Sequence, residues 1–406
     1  MRVENGIKVV EDFVLKYGFT IVGERIHPLF HQWMLEVGMC RFLITEVSNE
    51  VSRESTRLAD DVFISPLDGS SVDCRTTCFK RSFDIVNDVA LEVKDVETHV
   101  RKLSKNNVVV LKPLRKIADK NGEILIVTVK SCLDNIIHTL IQIIHLKGKL
   151  LPGFSSPSSC SEALNRRRQR GTNMSHVDHV TFVCESGKSP WVISWYEKCF
   201  GMKKFSLNRH SDDGSLVVNG NNSGLRLSAF DYWKCSETGL FHPEDNKFTF
   251  VLAEPIGRGQ SHVKTFLSKH EGAGVQHVGL HTSNMVTTLQ ILKNNGVQFV
   301  EPPFTYYEEE YFLKKVDELG DCLEENVEDI ISQGILLDSE NTLNITTGEQ
   351  QTEERYLMQK FTKPIFKEET FFLEIIQRHG ATGFGFGNVM ALCRAVEKLK
   401  CTKASG

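Results

Sequence analysis

Short runs in which apolar and polar residues alternate recur along the chain, separated by stretches with apolar residues three and four apart. The first pattern predicts strands with one buried face and the second predicts amphipathic helices. The order of these elements repeats. Lys105-Asn106-Asn107-Val108-Val109 returns as Lys293-Asn294-Asn295-Gly296-Val297, each after a helical stretch (ETHVRKLS and VTTLQIL) and before a strand and a proline. FVLKYGFTIVGER from Phe13 has a counterpart in WYEKCFGMKKFSL from Trp195. Such self-similarity organises a chain as repeats. A helix-glycine-strand unit occurs twice in each half, which predicts an α+β fold of four βαβββ modules, paired in two domains. From Leu151 to Ser175 Pro, Ser, Gly and Arg replace the apolar periodicity, so an N-terminal domain over 1–151, a linker over 152–175 and a C-terminal domain over 176–406 are expected.

Three stretches depart from the repeat. Tyr306 to Gln333 is acidic and helical in pattern, and the next residues predict a hairpin whose long polar loop runs between Asp338 and Arg355, with 339–354 as a surface insertion. In GFGFGNVMALCRAVEKLK, Asn388 is placed to cap a helix with Val389, Leu392, Ala395, Val396 and Leu399 on one face. Its glycines lack the preceding strand and the GxGxxG or GKT context of a phosphate loop.

Composition narrows the classes. With 406 residues and 40% hydrophobic content the chain can bury two ordinary cores. A net charge of -4, with no basic cluster beyond Arg166-Arg167-Arg168, argues against nucleic acid as a partner. Eleven scattered cysteines without a CxxC pair predict reduced thiols and a reducing compartment, leaving the glycosylation triplets at Asn221 and Asn344 unused. No run has the length of a membrane span, and the start has neither a signal-peptide nor a transit-peptide pattern.

The residues with most chemistry are His179 in SHVDHVTFVC, His277 in GAGVQHVGLHT and Glu374 in TFFLEIIQR, each in a strand-like run. Two imidazoles and one carboxylate can hold Fe(II) on one face and leave the other open to substrate and O₂. Spacing alone leaves this set open, because a lone strand histidine is more often a hydrogen-bonded core residue. Glu374 is the strongest member, since Phe371-Phe372-Leu373 and Ile375-Ile376 flank a carboxylate that is costly to bury unpaired. Among neighbouring histidines, His176 differs from His179 by an odd number and is expected on the opposite face, while His281 shares the parity of His277 and competes with it. The matching N-terminal strand, DVALEVKD, carries no histidine, so the metal set is expected in one half only.

In their order and spacing the blocks DH179, GAGVQH277, Phe304-Thr305-Tyr306-Tyr307, Phe361-Thr362-Lys363-Pro364, FFLE374IIQR and GFGFGN388 resemble those of 4-hydroxyphenylpyruvate dioxygenases, and in detail the animal dioxygenase-like branch more than the tyrosine-catabolic enzymes. The resemblance implies the vicinal-oxygen-chelate fold, Fe²⁺ held by His179, His277 and Glu374, and 4-hydroxyphenylpyruvate and O₂ as small-molecule partners. It also implies a substrate cavity lined by Gln276, Gln359, Phe361, Phe372, Phe384 and Asn388. Departures from the family pattern fall on this cavity. Val389 stands where an aromatic clamp is usual, His262 replaces a glutamine, Ala253 replaces the asparagine of an Asn-Glu-Pro triplet, and Ser228 is one residue out of register with an expected serine near Leu227. Each lost contact loosens the grip on the phenol ring by about 1–3 kcal/mol, which favours attack at the benzylic carbon and 4-hydroxymandelate as product.

The dioxygenase-like branch further implies a mitochondrial route to the coenzyme Q headgroup, with a cytoplasmic location as the alternative, and a homodimer. Competing readings are homogentisate formation in tyrosine catabolism, an extradiol enzyme acting on a catechol, and a non-catalytic binding protein on the same fold. Relatives begin with a strand of the form HIxFxV. Here MRVENGIKVV either replaces it or follows a missing strand, together with which a targeting sequence would also be lost.

Overall fold

The computed structural model describes residues 1–47, 84–169, 171–205, 214–219, 223–231, 249–259, 261–346, 349–385 and 387–388. The first module is β1 (Arg2–Val3), α1 (Gly6–Leu15), β2 (Thr20–His27), β3 (Phe30–Val37) and β4 (Cys40–Val47). The second is β5 (Leu91–Glu92), α2 (Val96–Lys105), β6 (Val110–Asp119), β7 (Gly122–Lys130) and β8 (Ile137–Leu146). After α3 (Ser159–Arg167), the third runs through β9 (Met174–Val183), α4 (Ser189–Phe200), β10 (Lys203–Phe205), β11 (Leu216–Asn219), β12 (Ser223–Asp231) and β13 (Thr249–Gly257). Following α5 (His262–Lys269), the fourth has β14 (Gly274–Thr282), α6 (Met285–Asn294), then α7 (Glu310–Leu319), α8 (Val327–Gln333), β15 (Leu336–Thr346), β16 (Glu349–Phe361) and β17 (Phe372–His379).

The repeated glycine has a local cause. Gly18, Gly201 and Gly296 have φ of 76°, 72° and 88°, and Asn107 fills the equivalent position at 58°. Each helix thus ends in the left-handed conformation that glycine and asparagine adopt at least cost. The chain then turns back into a strand. Asn5, Asp95 and Asn284 cap the opposite ends of α1, α2 and α6 through their side-chain oxygens.

In every module the first strand runs parallel to the last, giving the orders β1-β4-β3-β2, β5-β8-β7-β6, β9-β13-β12-β10 and β14-β17-β16-β15. Antiparallel pairing of β9 with β14 fuses the last two modules into one nine-stranded sheet. In the N-terminal half the corresponding seam is reduced to Arg2 and Ile85, which exchange two backbone hydrogen bonds of 2.9 Å. A cavity of about 430 Å³ lies between that half and the β9–β14 seam, lined by residues such as Leu43, Thr45, Thr139 and Ile141 on one side and Val180 and Val278 on the other. No metal-binding group forms there among the described residues.

One expectation is corrected. The segment expected as a polar loop between Asp338 and Arg355 is paired strand, with β15 and β16 in continuous register from Leu336↔Gln359 to Thr346↔Glu349. Polar sequence hid it because β15 is the edge of its sheet, where charged and polar residues are tolerated and block further pairing. The expected linker contains α3, which docks on α1 and β2; Asn165 both accepts from the Ile21 amide and donates to its carbonyl. The helix predicted after Asn388 lies outside the described residues.

Where the halves meet, His138 of β8 is buried with its Nδ1–H directed to the Val89 carbonyl at 2.9 Å. Its Nε2 must then accept from the Tyr196 hydroxyl at 2.8 Å. Burial pushes the His138 pKa down from 6.5. The unfolded chain takes up a proton below about pH 6.5 that the folded chain resists, so this group's contribution to stability is held above that pH and lost below it. Urea unfolding at pH 7.0 and 5.5 should show a steeper loss for the natural chain than for His138→Gln, by up to about 1.4 kcal/mol per pH unit. Equal slopes would refute this.

Candidate metal centre

The seam between β9 and β14 places the three chemical residues. Gly279 of β14 is the register partner of His179 on one side and of Glu374 on the other. His179 and Glu374 therefore stand on strands about 9.6 Å apart with a glycine between them. Their side chains meet over it, His179 Nε2 lying 3.2 Å from Glu374 Oε2. His277, two residues before that glycine, brings its Nε2 to 3.4 Å from the same oxygen. All three candidate ligand atoms lie within 4.8 Å of one another. A Cβ at position 279 would collide with the His179 ring.

Bulges aim the supporting groups. Between Val275 and His277 strand β14 advances by two residues while β9 advances by one, leaving Gln276 as the extra residue. Between Val177 and His179 the extra residue is Asp178, on β9. Bulged residues escape strict alternation. Each turns its side chain onto the imidazole that follows: His179 Nδ1 lies 2.7 Å from Asp178 Oδ1, and His277 Nδ1 lies 3.3 Å from Gln276 Oε1. Gln359 Nε2 donates to Glu374 Oε1 at 2.8 Å. Every ligand is thus tied at the atom facing the protein, which fixes Nε2 of both imidazoles and Oε2 of the carboxylate as the free donors.

The electrostatics follow from burial against charge. Burial would raise the Glu374 pKa, but His179 and His277 bring it down to about 2. Burial alone would depress His179, yet Glu374 and Asp178 lift it to about 9. At His277 burial outweighs Glu374 and the pKa falls below 6.5. Asp178, although buried, is held well below the usual carboxylate range by the Arg378 guanidinium and by His179. Two imidazole nitrogens and one buried anionic oxygen converging on a point form a donor set suited to a divalent first-row metal with open coordination positions.

Aromatic rings surround the triad. Phe372 stacks on His277 at 4.7 Å between centroids, Phe384 meets His179 edge-on at 5.0 Å, and Phe361 faces His277 at 6.3 Å. The amides expected to line the cavity are engaged with the ligands and with each other. Besides Gln276 and Gln359, Asn388 Nδ2 donates to Gln359 Oε1 at 2.9 Å while its Oδ1 accepts from Tyr306 at 2.7 Å. His262 opens α5 with its surface accessible, although crowding protein atoms lower its pKa and its charge is felt at His277. Ala253 is buried in an apolar cluster with Val183, Leu227 and Phe384. Val389 lies outside the described residues.

The competing histidines form a pair of their own. His176 and His281 stack at 4.5 Å, both with Nδ1 against Ser175 Oγ at 2.9 Å. The bulge at Asp178 breaks the alternation expected to put His176 and His179 on opposite faces, because His281 keeps the parity of His277. His281 is four residues further along β14, about 13 Å at 3.3 Å per residue. Asp178, Arg378 and Gly279 were not among the expected site residues. Only the glycine carries a local signal, since a glycine inside a strand marks a close approach.

A family model described as the glyoxalase/bleomycin resistance protein/dioxygenase superfamily matches residues 177–319. The mouse 4-hydroxyphenylpyruvate dioxygenase-like protein is 33% identical over 329 residues, 78% of this chain and 78% of its own length. The chain belongs to the 4-hydroxyphenylpyruvate dioxygenase family. The 4-hydroxyphenylpyruvate dioxygenase of Aspergillus fumigatus is 29% identical over 78% of this chain and 70% of its own. Among solved structures, a triple mutant of 4-hydroxymandelate synthase from Streptomyces coelicolor superposes with a TM-score of 0.69 over 98% of this chain and 96% of its own, at 22% identity. The vicinal-oxygen-chelate fold expected from the family is therefore the fold observed.

Proposed function

We propose that the chain is an Fe(II)-dependent dioxygenase that oxidatively decarboxylates 4-hydroxyphenylpyruvate with O₂ and releases 4-hydroxymandelate, its catalytic domain being the C-terminal half and its N-terminal half carrying no metal. The observation that carries this reading is the convergence of His179 Nε2, His277 Nε2 and Glu374 Oε2 with every opposite atom tied. Bound there, Fe(II) would supply the open face on which a 2-oxo acid and O₂ meet. The chain's own residues do the rest. Asp178, Gln276 and Gln359 hold the donors in place, and Phe361, Phe372 and Phe384 keep water from the reacting carbon and offer their faces to the substrate ring.

The choice of product rests on the wall formed by β12 and β13. Leu227 and Ala253 are register partners on the His179 face, within an apolar cluster, and strand alternation turns Ser228 away from it. Where relatives have an amide in the triplet, this wall offers the phenol no hydrogen bond. A ring held by shape alone settles deeper in the apolar cluster, presenting its benzylic carbon. A difference of about 1.4 kcal/mol between the two attack geometries suffices for a product ratio of about ten to one.

Chromatographic analysis of products from purified, iron-loaded protein supplied with 4-hydroxyphenylpyruvate should give 4-hydroxymandelate in that excess. Homogentisate as the main product would overturn the choice of product while leaving the dioxygenase reading intact. A chain that binds no iron under anaerobic conditions would overturn both.

A further inference from the structure

One guanidinium touches everything that fixes His179. Arg378, on β17, donates through Nε to Asp178 Oδ2 at 2.6 Å and through Nη2 to Asp178 Oδ1 at 2.8 Å. The second of these oxygens is the one that takes the His179 Nδ1 proton. The guanidinium carbon also lies 5.0 Å from the centre of the Phe384 ring, whose edge contact with His179 closes the circuit on the imidazole's other side. Its remaining nitrogen, Nη1, donates to the Gly383 carbonyl at 2.5 Å and to that of Ala381 at 3.3 Å.

These last contacts reach beyond the ligand. Residues 381–385 and 387–388 follow β17 and fold back over the triad, and they are held at both ends. Glu340 accepts from the backbone of Thr382 and Gly383, and Asp338 accepts from the Gly387 amide at 2.9 Å. Nearer the metal centre, Gln359 Nε2 is shared between Glu374 and the Phe384 carbonyl, at 2.8 and 3.4 Å. Two of the three candidate ligands are therefore connected to this stretch through side chains that donate to its backbone carbonyls. A buried bidentate pair costs desolvation that its Coulombic gain only partly offsets. Replacing it with apolar residues would stabilise a purely structural contact as well or better.

We infer that Arg378 is a positioning residue that couples metal binding at His179 to the seating of residues 381–385 over the site. This rests on the metal reading above and adds that the C-terminal closure and the ligand set are ordered together. His179 would hold an ion through Nε2 while Asp178 holds its Nδ1, so that the ring, Asp178 and, through the guanidinium, Gly383 and Phe384 would be fixed as one unit. Without the ion the ring is held from its Nδ1 side alone, and the stretch is tied to it less firmly. Lysine cannot replace arginine here, since it lacks the planar fork and the additional N–H groups.

The test uses the full chain, Co(II) as the probe, its visible absorption as the measure of binding, and hydrogen exchange of the peptide spanning 381–385 as the measure of seating. In the natural chain saturating Co(II) should slow exchange of that peptide by about tenfold or more. Arg378→Lys should bind Co(II) about 10–100-fold more weakly, with an altered absorption band, and at saturation should show no metal-dependent slowing. A structural role alone would lower the melting midpoint of the variant and leave the metal dependence intact, which would overturn the coupling. It is also overturned, independently of how the variant folds, if the natural chain binds Co(II) and exchange at 381–385 does not change. A natural chain that binds no Co(II) at all sinks the metal reading and this inference with it.

Discussion

Replacing Glu374 with glutamine is expected to abolish metal binding and turnover while leaving the fold in place. The substitution keeps volume, and the amide oxygen can still accept from Gln359, whose Nε2 lies 2.8 Å from Oε1. What it removes is the anionic Oε2, the atom that both imidazoles face at 3.2 and 3.4 Å. An NH₂ group there donates to nitrogens that must be free to ligate. It also withdraws the largest of the charges that lift His179 against burial. The metal loses an anionic ligand worth several kcal/mol, and the rate should fall by a factor on the order of 10³ or more. Far-UV circular dichroism separates this from unfolding. A Glu374→Gln protein that still forms product within tenfold of the natural rate would mean the reaction does not use this triad.

How much of this was legible in the sequence depends on which force places each residue. Helices ending in Gly18, Gly201 and Gly296 announce themselves because the left-handed C-cap selects glycine, and the Asn107 copy could be aligned because asparagine tolerates the same conformation. The three candidate ligands were visible because each interrupts an apolar strand with a group that is expensive to bury. Their neighbours were not. Asp178 and Arg378 are distant in sequence and meet only because β9, β14 and β17 lie side by side, an arrangement that no local pattern encodes.

Alternation misleads wherever a bulge intervenes. Parity alone put His176 on the wrong face and gave no hint that Asp178 and Gln276 would turn onto the imidazoles after them, because a bulge inserts one residue without a sequence signature. Edge position misleads in a different way. The far part of this hairpin, 339–354, is held by backbone pairing at the margin of the sheet, so it needs no apolar stripe and reads as loop. For the amides expected to line the cavity, no partner was legible in the sequence: Gln359 and Asn388 are committed to Glu374 and Tyr306, which only the folded chain displays.

Gly279→Ala should disable the site through one added methyl group. The glycine faces His179 across one ladder and Glu374 across the other, and the imidazole lies directly over it. A Cβ there would overlap Cε1 and Nδ1 of the ring. The backbone cannot recede, because β14 is hydrogen-bonded on both sides, to β9 and to β17. The ring cannot simply slide either, since Asp178, itself held by Arg378, pairs with its Nδ1 and Phe384 lies against it. It must tilt, carrying Nε2 away from Glu374 Oε2. Overpacking of this kind costs about 1–3 kcal/mol of stability, and misdirecting a ligand by the loss of its support typically weakens metal binding about 10–100-fold. Both should appear together, as a lower urea midpoint and a rightward shift in a metal titration followed by absorption. The neighbouring Val278→Ala provides the contrast: that side chain is buried in the main core on the opposite face, so it should lose stability with little change in metal affinity. Should Gly279→Ala bind metal as tightly as the natural chain, the geometry that brings His179 and Glu374 together over a bare backbone would be wrong.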